Sequence, residues 1–461
     1  MRDPFTPFEQ IMQAESLPQI AIDTFRYYYQ QLLEGHSGHV REAGLAPVGE
    51  LPAMASLTSE HVNQGNAVRD QVVMIKLNGG LGTSMGLQRA KSLIRVKGEF
   101  SFLEIIARHA QSKAVPLVLM NSFVTQEDSL AALSGYRDRI AGTIPSDFVQ
   151  HKVPRISQAD LSPVKHADNP GLEWCPPGHG DIYTAMLSSG VLDTLLDAGY
   201  RYAFISNADN LGAAIDDAIL GYLVEAGLDF LMEVTTRTAA DRKGGHLART
   251  DDGRLILREA GQCHPDDSSA FQDVNKHRFF NTNNIWINLE SLQATMQHRN
   301  NILGLPLIRN LKHLDAKNLQ TPKVYQLETA MGAAIGVFER TAAIQVPRSR
   351  FAPVKTTNDL LIVRSDAYAM TDDYLLVPAV AEADLPSVTL DADYFRLIDD
   401  FESRFPHGVP SLLGCSEFHV QGDVRFGKNI QCRGQVTIKN MKPAQETIPD
   451  ASHVGGKLHY S

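Results

Sequence analysis

Apolar residues change their spacing along the chain, and each change predicts a different kind of structure. In the first 66 residues, Phe5, Phe8, Ile11 and Met12 recur at helical spacing, and Phe25, Tyr28, Tyr29 and Leu32 do so again. This predicts a helical segment at the periphery of the molecule. A stretch interrupted by Gly and Pro, residues 44–52, follows. From about residue 67 to 370, short apolar runs at 72–75, 115–120, 202–205 and 230–234 (the last holding Glu233) alternate with longer amphipathic stretches. Apolar runs of this length suit strands covered on both faces, and stretches such as 187–198 supply crossover helices. The expected fold class is α/β, a Rossmann-like, mostly parallel sheet with helices on both faces. In such sheets ligands bind beyond the carboxyl ends of the strands, so residues just after each run are candidates for function.

Residues 371–410 read as a connector, with acidic residues from Glu382 to Glu402 spread among apolar ones. The last part, 411–461, repeats. Phe418, Val424, Ile430 and Val436 lie six residues apart, as do Val420, Phe426, Cys432 and Ile438. A six-residue period of inward apolar positions predicts a β-helix; a hairpin of alternating residues is the other reading. Nothing in this part carries chemistry, and its expected role is packing or homo-oligomer assembly.

Composition narrows the function. The 461 residues are 43% hydrophobic and 21% charged, ordinary values for a chain with a sizeable core. The net charge of -10 argues against coating nucleic acid. Any phosphate site must therefore be built locally, from a few lysines and backbone N–H groups. Four cysteines without CxxC pairing predict free thiols in a reducing compartment. The N-terminus carries no apolar stretch suited to a signal peptide, and no segment approaches the ~20 apolar residues of a membrane span. The expectation is a soluble, cytoplasmic chain that binds neither nucleic acid nor membrane.

Four motifs carry candidate chemistry. The first, Leu77-Asn78-Gly79-Gly80-Leu81-Gly82-Thr83-Ser84-Met85-Gly86, directly follows the first strand. Its glycines let the backbone approach a ligand, and its N–H groups can bind phosphate. The spacing matches neither the dinucleotide fingerprint nor the P-loop. Lys91, five residues on, can lean a charge onto the same phosphates. The second motif, Pro176-Pro177-Gly178-His179-Gly180-Asp181, predicts a rigid turn that presents an imidazole at a helix start, with Asp181 as the cap. In the third, Ser206-Asn207-Ala208-Asp209-Asn210, an aspartate follows a buried strand, where a charge is costly without a partner. A magnesium ion, which takes one or two carboxylates plus phosphate oxygens and water, explains Asp209. In the fourth, Lys355 stands just before a helix start and offers a second ammonium near polyphosphate.

On these motifs the sequence closely resembles the eukaryotic-type UTP–glucose-1-phosphate uridylyltransferases, with further matching stretches at 243–245, 280–289, 327–335 and 346–361. The resemblance implies a nucleotidyltransferase α/β domain over 67–370 and a C-terminal left-handed β-helix. It implies that UTP and a hexose 1-phosphate, with Mg2+, yield UDP-glucose and pyrophosphate. By the same resemblance Leu77, Asn78, Gly79 and Gly80 hold the nucleotide, Lys91 contacts the triphosphate, and Gln150 and Gly178 read the uracil. His179, Asn207 and Ala208 contact substrate near the phosphates, and Asp209 holds the metal. Gly245, Glu259, Asn281 and Asn283 surround the sugar, and Lys355 reaches the phosphates. The chain departs from the family in one place: Gln88-Arg89-Ala90 stands where Lys-Gly-Pro is usual, which leaves Arg89 to replace one positive charge. An N-acetylhexosamine 1-phosphate pyrophosphorylase, a non-catalytic sugar-nucleotide binder and a Rossmann oxidoreductase are the rival readings.

Overall fold

A computed structural model describes residues 3–136, 144–315 and 318–460. The N-terminal periodicity forms two helices, Thr6–Ala14 and Gln19–Leu33. Their apolar stripes bury Phe8, Met12, Phe25 and Tyr29 against Val153, Ile156, Cys175 and Leu327. The strands that position the site are, in chain order, β1 (Leu45–Pro47), β2 (Val72–Asn78), β3 (Leu117–Asn121), β4 (Asp147–Val149), β5 (Tyr202–Asn207), β6 (Phe230–Thr236), β7 (His246–Thr250), β8 (Leu255–Arg258), β9 (Phe279–Asn288) and β10 (Thr341–Gln345). All ten belong to one sheet. The apolar runs form its parallel heart: β4, β3, β2 and β5 lie side by side in one direction, and β10 runs parallel to β6. β9 runs antiparallel between β5 and β6, and β7, β8 and β1 extend that flank antiparallel.

Alternation explains why both faces are covered. Met74, Leu117, Phe204 and Trp286 join one buried cluster, which includes Leu103, Ile106 and Ala110 of helix Phe102–Ser112. Val73, Ile75, Val118 and Ile205 join the opposite cluster with Ile182, Met186 and Leu195. The crossover expected over 187–198 is two short helices, Ile182–Ser188 and Val191–Asp197, divided at Gly190, whose φ of 73° is left-handed.

The C-terminal repeat forms β11 (Ser387–Leu390), β12 (Ser411–Gln421), β13 (Gln431–Asn440) and β14 (His453–Tyr460), stacked in parallel. A hairpin would pair antiparallel; here Phe418 lies opposite Val436 and Val420 opposite Ile438, three six-residue units further on. Val424–Phe426 pairs in parallel with Glu446–Ile448 on another side of the stack. Phe405, stacked on Phe426 at 4.7 Å, belongs to the apolar cluster that continues into the main sheet. No helix among the described residues is long and apolar enough to cross a membrane.

Candidate active site

The carboxyl ends of β2 and β5 lie in parallel register, Leu77 beside Asn207, and the Ala208 N–H donates to the Leu77 carbonyl at 3.0 Å. Above them opens a cleft of about 330 Å³. It is lined by eleven of the expected residues: Leu77, Asn78, Gly79, Gly80, Lys91, Gln150, Gly178, His179, Asn207, Ala208 and Asp209. The glycine loop is closed at its base, where the Lys91 N–H donates to the Gly80 carbonyl at 3.1 Å. Asn78 lends the cleft its backbone, because its side chain is spent below. Asn78 Nδ2 donates to Asn121 and Ser129 at 2.7 and 2.8 Å, and Ser92 Oγ donates to its Oδ1 at 2.5 Å.

Opposite the loop, Gln150 Nε2 donates to the Gly178 carbonyl at 2.9 Å. Gly178 has φ 84°, and a Cβ there would collide with the Thr329 backbone, so only glycine fits this turn. His179 Nδ1 accepts the Met331 N–H at 3.0 Å. Burial pulls its pKa down to about 4, so the ring is neutral near pH 7 and carries its proton on Nε2, a donor. Asp181 does not cap the following helix as expected. Its carboxylate takes the His151 N–H at 2.8 Å and the His151 ring at 2.9 Å. Burial disfavours a charged His151, yet the Asp181 charge prevails and raises its pKa.

Among the described residues, Asp209 is the only acidic one lining the cleft, and it pairs with Lys91 at 2.6 Å. The cost of a charge at a strand end is thus met by the loop lysine. Among the described residues no cluster of three or more His, Cys, Asp or Glu side chains could hold a metal. A magnesium ion at Asp209 would take its remaining ligands from substrate phosphates and water, an arrangement that suits the ion. Arg89 is exposed and does not line the cleft.

Lys355 and the four expected sugar residues stand outside this lining, in an adjoining cluster. Lys355 precedes helix Thr357–Arg364, whose start is organised by Asp359, a hydrogen-bond acceptor for the N–H groups of Lys355 and Thr356 at 2.8 Å. The segment is tied to the Asp209 loop by the Val354 N–H, which donates to the Asp209 carbonyl at 3.2 Å. Register puts Asn281 of β9, Gly245 just before β7 and Glu259 just after β8 in one row: His246 pairs with both Phe280 and Arg258, so their neighbours align. Asn281 N–H donates to the Gly245 carbonyl at 3.2 Å. A Cβ at Gly245 would sit 2.6 Å from the Glu259 carboxylate. Asn283 joins the row through Asn281, at 2.8 and 2.9 Å. Burial raises the Glu259 pKa, against the pull of Asn281 and of the Lys355 charge.

Sequence reasoning missed Ser92, Met120 and Pro176 in the cleft lining, and the polar floor that joins the two clusters. Asn210 Nδ2 donates to Asn284 and to the Arg350 carbonyl at 3.2 and 3.0 Å, while its Oδ1 accepts Gly212 and Ala352 N–H. Buried Glu233 pairs with Arg350 at 2.6 Å. The signal for these residues was their position: Asn210 adjoins Asp209, and Asn284 adjoins Asn283.

A glycine loop on a parallel strand, an acid at the next strand end and a row of polar groups beyond it define a nucleotide-handling α/β enzyme. The comparisons make the class specific. The family model described as UTP–glucose-1-phosphate uridylyltransferase matches residues 22–433. A barley protein of that name is 39% identical over 86% of this chain and 83% of its own. UDP-glucose pyrophosphorylase from Leishmania major, solved as a point mutant, is 42% identical, with a TM-score of 0.92 over 100% of this chain and 99% of that one. Another point mutant of that enzyme, solved in complex with UDP-glucose, superposes with a TM-score of 0.90 at 42% identity over the whole of both chains. The chain belongs to the UTP–glucose-1-phosphate uridylyltransferase family.

Proposed function

We propose that this chain joins UTP to glucose 1-phosphate, giving UDP-glucose and pyrophosphate. The observation that carries the reading is the Lys91–Asp209 pair at the floor of the glycine-loop cleft, with the Lys355 segment hydrogen-bonded to the Asp209 backbone. A phosphate oxygen of the sugar phosphate attacks the α-phosphorus of UTP in line; the P–O bond to pyrophosphate breaks, and the electron pair leaves with it. No covalent enzyme intermediate is needed, so the work is alignment and charge stabilisation.

Gln150 and the Gly178 backbone hold the base. The Gly79 and Gly80 backbone approaches the phosphates, and the His179 Nε2–H donates to a phosphate oxygen. Lys91 and Lys355 offset charge from two sides as pyrophosphate departs. Glu259, Asn281 and Asn283 bond the sugar hydroxyls beside Gly245. Magnesium held by Asp209 supplies Lewis-acid neutralisation of the phosphate charge.

On the same reading the catalytic part is residues 67–370, the C-terminal parallel stack is a left-handed β-helix that packs or pairs subunits, and the protein is cytoplasmic. The test is pyrophosphate release from UTP with a panel of sugar 1-phosphates, with and without Mg2+. Glucose 1-phosphate is expected to give the highest kcat/KM, only with the metal. Preference for N-acetylhexosamine 1-phosphate, or no turnover with any sugar phosphate, contradicts the proposal.

A further inference from the structure

Residues next to one another on a strand face opposite sides. Gly245 and Glu259, at the ends of β7 and β8, and Asn281 of β9 form the front of the sugar cluster, so the adjoining His246 and Arg258 face the rear. Both are fully buried there. His246 stacks on His277 at 4.2 Å and packs against Phe271 at 4.7 Å. Behind them lies one carboxylate from the N-terminal segment. Glu42 takes Arg258 at 2.6 Å, Lys276 at 2.6 Å and His277 at 3.0 Å. Asp267 supports the same group, accepting the Glu42 N–H at 2.9 Å and lying 3.4 Å from Arg258. β1, just beyond Glu42, pairs with β7 from Leu45 to Pro47, and Val40 N–H donates to the Gln262 carbonyl at 2.8 Å. The segment expected to be peripheral therefore grips the two strands that end beside Gly245 and Glu259.

Resting on the function proposed above, we infer that Glu42 is a positioning residue for the sugar half of the site: it neutralises Arg258 and anchors the His277 ring by a hydrogen bond, and so holds the row of Glu259, Gly245 and Asn281 in place. Burial disfavours the Glu42 charge, but hydrogen bonds from Lys276 and His277 prevail and hold its pKa down at about 2. The carboxylate is thus charged at any working pH. Without it, the buried Arg258 guanidinium keeps one carboxylate partner, Asp267 at 3.4 Å, a costly arrangement in a low-dielectric interior. The strands can relieve that cost only by moving, and the polar row in front moves with them. Among the described residues, no hydrogen bond or ion pair joins Glu42 to the lining of the nucleotide cleft.

The test is steady-state kinetics of the full chain with UTP and glucose 1-phosphate. Glu42→Gln is expected to raise the KM for glucose 1-phosphate about tenfold, the equivalent of one lost hydrogen bond at ~1.4 kcal/mol. The KM for UTP is expected to stay within about twofold, and Glu42→Asp to recover most of the loss. A merely structural role would lower the active fraction, and with it kcat, without a selective change in one KM. Both KM values unchanged, or both rising together, overturns the inference. Should Glu42→Gln melt below the assay temperature, Arg258→Lys, which keeps the charge and loses the fork, carries the same comparison and the same criteria. Absent turnover of the wild-type chain would sink the function itself; normal wild-type turnover with no selective KM change would sink only the role of Glu42.

Discussion

The two halves of the proposed site are built by different means. The nucleotide half sits on the carboxyl ends of parallel strands β2 and β5, and presents largely backbone: a glycine loop, the Gly178 turn and the N–H groups around them. The sugar half sits on antiparallel strands β7, β8 and β9 and presents side chains, aligned across the strands by register and fastened from the rear. A backbone site follows from local turn chemistry and tolerates little change at its glycines. A side-chain site depends on the strands beneath it, and through them on residues far away in sequence.

The sharpest way to break this comparison is at the junction of the halves. Asp209→Ala and Lys355→Ala are each expected to lower turnover by ~10²–10³, by analogy with the loss of one preorganised transition-state contact, with melting close to wild type. Near wild-type turnover in either purified variant would remove that residue from the chemistry. Next in size are Glu259→Gln and Asn283→Ala. Each is expected to raise the KM for glucose 1-phosphate by about tenfold, with a smaller change for UTP; the opposite pattern would move them out of the sugar half. Asn78→Ala sharpens the claim that the nucleotide half presents backbone. Its amide is bonded to Asn121, Ser129 and Ser92, so its loss should cost about 1–3 kcal/mol in denaturant unfolding yet leave the KM for UTP nearly unchanged.

The smallest effect concerns His179. Folding lowers its pKa from near 6.5 to about 4. Its contribution to stability is therefore complete above pH ~6.5 and is lost as the pH falls toward 4. An NMR titration is expected to find its ring neutral at pH 6; a midpoint near 6.5 would refute the neutral donor.

Much of the nucleotide half was legible because its signals are contiguous. A strand followed at once by Asn78-Gly79-Gly80, or a strand followed by Asn207-Ala208-Asp209, is a local pattern, and the strand ends met in space as the α/β reading requires. The sugar half was not readable from pattern. Gly245, Glu259 and Asn281 are far apart in sequence, and β9 contains Asn281-Thr282-Asn283-Asn284, which hides a strand behind polar residues. Those residues came from family resemblance alone. The antiparallel placement of β9 was likewise invisible, because buried strands of either direction give the same apolar run. The N-terminal helices were correctly read from Phe5 to Leu32, but the reach of Glu42 was not: a lone acid after a helix carries no local sign of the two cations and the imidazole it will meet. The lysine partner of Asp209 was also unforeseen, although both residues had been singled out separately.

The most direct test of two separately built halves is a pair of glycine variants read by both KM values. Gly178→Ala places a methyl in the base-side turn, and Gly245→Ala places one against Glu259. The first is expected to raise the KM for UTP and spare that for glucose 1-phosphate; the second is expected to do the reverse. If either variant raised both KM values equally, or the two patterns were exchanged, the division of the site would be wrong.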